Sequence, residues 1–238
     1  MIDSSGANAF TTGSGTQSYL KLLSASSLDA SIEQLITTLP GTTTPPPGAG
    51  PSDTFDSNVL SSAWTSSSSG STVKAANQQL EISHPAGGWT RGSLLSAAPF
   101  DATGKAVQVR VKRAANAGQG GSTYGETSVI VSIDGTHQLE LFIAGGSLTA
   151  WVENGSTSTN LTPSWPRYDA TTMAWLRIRE SGGTVSFQYS AGTTSPTGWT
   201  TLATVAKPFA LTGATLTLTA GSNVTSADTA IFDDVSTS

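Results

Sequence analysis

From residue 80 onward, apolar side chains recur at every second position in short runs. Leu80-Glu-Ile82, Val107-Gln-Val-Arg-Val111, Ser128-Val-Ile-Val-Ser-Ile133 and Gln138-Leu-Glu-Leu-Phe-Ile143 open the series. Ser147-Leu-Thr-Ala-Trp-Val152, Trp175-Leu-Arg-Ile-Arg179, Thr184-Val-Ser-Phe-Gln-Tyr189 and Ala214-Thr-Leu-Thr-Leu-Thr219 continue it, and Ile231-Phe-Asp-Asp-Val235 closes it. A period of two puts one set of side chains on each face of a strand. Asp134-Gly135, Gly145-Gly146, Asn154-Gly155, Gly182-Gly183 and Gly192 punctuate the runs with residues that tolerate tight turns. Strands at this spacing, with no helical period between them, predict two packed antiparallel sheets, each with one face toward water.

The period changes before residue 40. Leu28, Ile32, Leu35, Ile36 and Leu39 fall on one face of a helix. Ser26 or Ser27 can cap its start, Asp29 and Glu33 suit the positive end of its dipole, and Pro40-Gly41 stop it. Tyr19, Leu20, Leu22 and Leu23 suggest an apolar turn ahead of it, and residues 1–15 are small, polar and expected to be extended. A helix of about twelve residues is marginal alone in water, so its apolar face must pack on something. Residues 40–52, PGTTTPPPGAGPS, read as a semi-rigid polyproline spacer. The expected organisation is an arm over 1–39 with docking residues Leu28, Ile32, Leu35, Ile36 and Leu39, a linker over 40–52, and a β-domain over 53–238.

Charge narrows the function classes. Charged residues make up 11% of the chain, less than half the usual share, so the surface must be clothed in hydroxyls and small side chains. The net charge is −5 and no basic run exceeds Lys112-Arg113, which removes the basic stripe that nucleic-acid or membrane-surface binding requires. No apolar stretch is long enough to span a bilayer. Without cysteine there is no thiolate zinc site, thiol catalysis or disulfide. The N-terminus has neither a basic nor an apolar leader region, so signal-dependent export is not expected.

Several segments together resemble the concanavalin A-like lectin/glucanase superfamily. Asp53-Thr-Phe-Asp56 with Leu60 and Trp64 is similar to the first strand and loop of such domains, and Gln79-Leu80-Glu-Ile82 to a short second strand. Trp175 through Thr184, then Phe187-Gln-Tyr-Ser190 and Gly198-Trp199, resembles their hairpin before a Gly-x-Trp segment. Phe232-Asp-Asp-Val235 is similar to a last strand that lies beside the first. The resemblance covers residues 53–238 and implies an all-β, antiparallel two-sheet jelly-roll sandwich behind a short helical arm. It is closest in kind to domains on minor tail and other surface proteins of phages of actinobacteria.

The glucanases of that superfamily carry Glu-x-Asp-x-(x)-Glu on one strand, which sets two carboxylates on one concave face. Glu126, Asp134, Glu140 and Glu153 do not form that motif, and His84 and His137 have no suggestive Ser and Asp beside them. No enzymatic activity is therefore expected. Sugar recognition instead needs aromatic platforms beside hydrogen-bonding groups. Gly87-Gly-Trp89-Thr-Arg91 and Ser164-Trp165-Pro-Arg167-Tyr168 supply both between strands, and Trp151 can share their face. For Trp89 and Trp165 core packing is the competing assignment, and Trp64, Trp175 and Trp199 are expected to pack. Asp53, Asp56, Asp233 and Asp234 sit on strands the resemblance places side by side, where oxygen ligands could hold calcium; turn and solvent roles are the alternative. Asp233 and Asp234, being adjacent, should face opposite ways. Arg110, Lys112, Arg177 and Arg179 recur at period two and should pair across strands with Glu81, Glu140 or Glu180.

The expected function is a non-enzymatic virion protein of a phage: minor tail, fibre or head decoration. It is assembled in the host cytoplasm in several copies and docked to other virion proteins through its arm. At the virion surface it displays the sandwich for adhesion to a host cell-wall glycan or for particle stabilisation. The alternatives are an extracellular carbohydrate-binding module of a bacterial surface or secreted protein, and a glycoside hydrolase relative without the usual motif. No cofactor beyond calcium is expected.

Overall fold

The computed structural model describes residues 7–11, 17–21, 50–115 and 124–238. The chain divides into two compact units between Pro46 and Pro47. In the first, β1 (Ala7–Thr11) pairs antiparallel with β2 (Gln17–Lys21), Ala9 opposite Tyr19. Tyr19 and Leu20, expected in an apolar turn leading into a helix, are thus in a strand. Gln-Ser-Tyr-Leu-Lys is centred on a β-favouring tyrosine, and Gly13 and Gly15 precede it. The expected helix with Leu28, Ile32, Leu35, Ile36 and Leu39 lies outside the described residues.

The second unit is all β. Its strands are β3 (Trp64–Ser69), β4 (Thr72–Ala76), β5 (Gln79–His84), β6 (Thr90–Ser96), β7 (Ala106–Arg113), β8 (Gly125–Asp134) and β9 (His137–Ala144). They continue with β10 (Ser147–Asn154), β11 (Thr157–Asn160), β12 (Trp175–Ser181), β13 (Thr184–Ser190), β14 (Thr200–Ala206), β15 (Thr215–Ser222) and β16 (Asp228–Thr237). Two antiparallel seven-stranded sheets result: β11-β10-β9-β8-β15-β6-β3, the first sheet, and β14-β13-β12-β7-β16-β5-β4, the second. Among the described residues no helix is present, and none is long and apolar enough to cross a membrane.

The alternation read from sequence is what closes the sandwich. Leu139, Leu141 and Ile143 of β9, Leu148, Ala150 and Val152 of β10, and Leu216, Leu218 and Ala220 of β15 turn inward from the first sheet. Leu80 and Ile82, Val107, Val109 and Val111, Leu176 and Ile178, and Val185 and Phe187 meet them from the second. Removing this apolar surface from water is the main term holding the sheets face to face. Gly145-Gly146 and Gly182-Gly183 all take positive φ, the backbone that two-residue hairpins need to match strand twist. Asp53 and Val235 exchange backbone hydrogen bonds of 3.0 and 2.8 Å, so the first and last segments do lie side by side.

Candidate functional site

The two outward faces of the sandwich differ in kind. On the second sheet the polar groups satisfy one another. Arg110 reaches both Asp233 (3.8 Å) and Asp234 (3.6 Å), Lys112 reaches Asp233 (3.4 Å), and Lys74 reaches Glu81 (3.4 Å). A bulge in β16, with Asp234 at φ 47°, lets the adjacent aspartates approach the same arginine. They do not face opposite ways, because the bulge breaks the period of two. The segment after β13 lies against two side chains of β12. Trp175 Nε1 donates to the Gly192 carbonyl (3.0 Å), and Trp199 lies 3.9 Å over the Arg177 guanidinium. Glu180 accepts from the Gly104 and Gly183 amides, and Glu140 lies on the other sheet. The expected cross-strand pairing of Arg177 and Arg179 with these acids therefore does not form.

The outward face of the first sheet is built in ladder rows, each read across the strands from the pairing register. One row runs Arg167, Ser147, Ala144, Glu126, Gly221, Arg91, Ser69. The next runs Thr149, Phe142, Ser128, Thr219, Ser93, Ser67. A third runs Asn160, Trp151, Glu140, Ile130, Thr217, Leu95, Thr65. In the middle row Ser128, Thr149 and Thr219 are each 1% exposed, although they point away from the core. They are short hydroxyl side chains, with the half-buried Phe142 standing between Thr149 and Ser128 in the same row.

Aromatic pairs stand at two corners of this face. Trp89, 46% exposed, lies against Gly221, where a Cβ would run into its ring, and it meets Tyr124 at 5.9 Å between ring centroids. Trp165, 49% exposed, meets Trp151 edge-on at 6.2 Å. Trp151 Nε1 donates to Thr149 Oγ1 (3.0 Å), which fixes its ring. Trp165 itself sits at φ 50°, a left-handed backbone that a bulky side chain adopts only under constraint. The Ser147 hydroxyl donates to the Trp165 carbonyl (3.3 Å), and the Leu148 amide to Pro166, tying this loop along β10.

Carboxylates line the face between those corners. Arg91 donates to Thr219 Oγ1 (3.2 Å) and pairs with Glu126 at 3.6 Å. Burial pushes the Glu126 carboxyl up, against the pull of Arg91. Burial raises Glu140 as well, aided by Glu126 and Glu153 and opposed by the Ser128 hydroxyl and Arg91. Glu140 forms no ion pair among the described residues. Tyr124 is raised by burial and by the Glu126 and Glu140 carboxylates. Glu153, one residue pair farther along β10, is a diagonal neighbour of Glu140, about 7–8 Å between Cα atoms. Glu126, Glu140 and Glu153 lie on three strands and share a face only through register, which no single-strand motif reveals.

The structure brings Trp89, Arg91, Trp151, Trp165 and Arg167 to this face. Arg91 belongs to β6 and not to a loop, since Thr90-Arg-Gly-Ser-Leu-Leu-Ser96 pairs with both β3 and β15. Tyr168 is apart from them: one residue past Arg167, it turns inward against the core, and burial raises its hydroxyl, which has no hydrogen-bond partner. Trp64 and Trp175 are buried. The four aspartates do not fit a calcium site. Asp53 accepts from the Phe55 amide (2.7 Å) and Trp64 Nε1 (2.8 Å), Asp56 accepts from the Thr54 hydroxyl (2.8 Å), and Asp233 and Asp234 face Arg110. Among the described residues no group of three acidic or histidine side chains is placed to hold a metal ion.

The fold is similar to that of the exoplasmic/lumenal domain of VIP36 in its Ca2+/Man3GlcNAc-bound form. The TM-score is 0.55 and the sequence identity 16%, over 74% of this chain and 83% of that one. The metal-free form of the same domain gives 0.50 and 16%, over 78% and 95%. A looser likeness, 0.48 and 14% over 76% and 94%, joins it to the CBM2 module of the evolved Dit of Lactobacillus casei BL23 phage J-1. No family model and no curated protein matches the sequence. At 16% identity the VIP36 likeness establishes the fold alone: a sandwich of two antiparallel sheets like that of the VIP36 domain.

Proposed function

We propose that the outward face of the first sheet is a glycan-binding surface, and that the chain is a non-enzymatic adhesion or decoration protein of a phage particle. One observation carries the binding reading: two aromatic pairs, with Trp89 and Trp165 about half exposed, stand at two corners of the outward face of the first sheet. Aromatic rings stack on the apolar faces of sugars, and the carboxyl and guanidinium groups between them match sugar hydroxyls. The VIP36 domain of the same fold is described with a mannose-containing glycan bound, which agrees with this use of the fold.

The virion reading is supported by the sequence: a separate N-terminal unit, a proline-rich junction, no cysteine and a surface of Ser, Thr and Gly. In this reading residues 28–39 dock on other virion proteins through Leu28, Ile32, Leu35, Ile36 and Leu39. Repetition on the particle then raises weak single-site affinity into firm adhesion.

The test is retention of the purified chain on bacterial cell walls and on a panel of insoluble polysaccharides. The account expects retention on at least one. Replacing both Trp89 and Trp165 by Ala should weaken it by about a hundredfold, about tenfold for each lost platform. Failure of the parent protein to bind any of them contradicts the reading. Because Glu140 and Glu153 set two carboxylates near each other, the same incubation should also be assayed for new reducing ends, and none are expected. Their release, abolished by Glu140→Gln, would make this face an active site instead.

A further inference from the structure

The two aromatic pairs are far apart. Trp151 is on β10 and Trp89 lies over Gly221 of β15, three strand spacings away and two ladder rows along. At about 4.8 Å per strand and about 6.6 Å per row, the platforms are roughly 20 Å apart. A linked pyranose advances a chain by about 5 Å, close to one strand spacing, so roughly four rings fit between and over the platforms. A single sugar or a chain end would meet only one of them.

Between the platforms the face is diagonal and continuous. From Trp151 the path passes Glu140, then the sunken hydroxyls of Ser128 and Thr219, then Glu126 and Arg91, to Trp89 and Tyr124. In the middle row Ser128, Thr149 and Thr219 lie almost wholly out of solvent contact, and the half-buried Phe142 ring stands between Thr149 and Ser128. Between the platforms the charges are carboxylates, apart from Arg91, which is paired with Glu126; Arg167, exposed beside Trp165, stands at the outer end of the row. A polyanionic chain would bring its own charges against Glu126, Glu140 and Glu153, and like charges at such range repel.

Resting on the glycan-binding reading above, we infer that this face takes an internal stretch of an uncharged polysaccharide, about four rings long, held at each end by an aromatic pair. Mono- and disaccharides of the same sugar reach one platform and bind weakly. Affinity climbs with length until both platforms are occupied and then levels off.

Titration calorimetry of the full chain with cello-, laminari-, xylo- and manno-oligosaccharides of one to six units, and with their parent polysaccharides, separates the outcomes. For the series that binds, affinity is expected to rise at least tenfold from two units to four and to change less than twofold from five to six. Trp89→Ala and Trp165→Ala should each flatten that rise and leave the disaccharide affinity of the intact platform unchanged. A series that binds equally well at one or two units and at six overturns the chain-length inference and leaves glycan binding standing. So does binding that a capped non-reducing end abolishes. Absence of binding to every ladder and every parent polysaccharide overturns both.

Discussion

Gly221 is the residue on which one platform depends. Its neighbours on β15 are inward-facing Ala220 and buried Ser222, and its own missing side chain is the space in which the Trp89 ring lies. Its φ is outside the left-handed region, so alanine is acceptable to the backbone, and what must give way is the far end of a half-exposed indole. Gly221→Ala should therefore change stability by less than about 1 kcal/mol in thermal unfolding. It should nevertheless shift Trp89 fluorescence and weaken glycan retention about as much as Trp89→Ala. Unchanged retention would mean that the ring's seat on β15 is irrelevant to binding. Glu140 makes a pH prediction. Its folded pKa lies above the ordinary carboxylate value, chiefly through burial, so the native state holds the proton more tightly than the unfolded chain. Its contribution is then fully present below the unfolded pKa and lost as pH rises through the folded one. Glu140→Gln should melt higher than the parent at pH 7, with the gap closing as the pH is lowered into the acid range. A gap of constant size would show that Glu140 is not held in this way. At this scale the sequence reading found the aromatic and arginine side chains because their types announce sugar chemistry. It missed the acids, whose shared face comes from register across three strands, and it misplaced Tyr168, which alternation turns inward one residue after Arg167.

At the scale of elements, legibility followed burial. Every strand with two or more apolar core side chains in alternation was visible in the sequence, and the paired glycines marked the hairpins β9-β10 and β12-β13; β6, which has Leu94 alone in the core, was not. The four edge strands β3, β4, β11 and β14 were not visible. Edges carry one packed neighbour and need fewer apolar residues, so Trp-Thr-Ser-Ser-Ser-Ser and Thr-Ser-Thr-Asn show no period to read. β6 was hidden by Gly92. That glycine faces inward, where a Cβ would press on Ile82 and Val73, so the strand needs a small residue where the pattern calls for a large one. The misread of β6 mattered for the site. It left Arg91 in a loop, whereas the strand fixes it in the row of Glu126 and beside the sunken Thr219. Likewise the bulge in β16 turned two aspartates toward one arginine and removed them from any calcium ligand set.

At the scale of the molecule, the asymmetry between the two sheets decides the account. Both sheets have seven strands and the same alternation, yet the outer face of one is laced with ion pairs and backed by the segment after β13 over Trp175 and Arg177, and the other carries acids and exposed aromatic rings. This division was foreseeable only as two sheets with one face each toward water; which face would be dressed and which left open depends on loops whose paths no period encodes. The six tryptophans report on both faces at once. Their indole N–H resonances, recorded in the full chain as an oligosaccharide from the binding panel is added to saturation, test the central claim most directly. The account predicts that the signals of Trp89, Trp151 and Trp165 move together with occupancy while those of Trp64, Trp175 and Trp199 stay in place. Movement confined to Trp175 and Trp199 would put the ligand on the second sheet and contradict it.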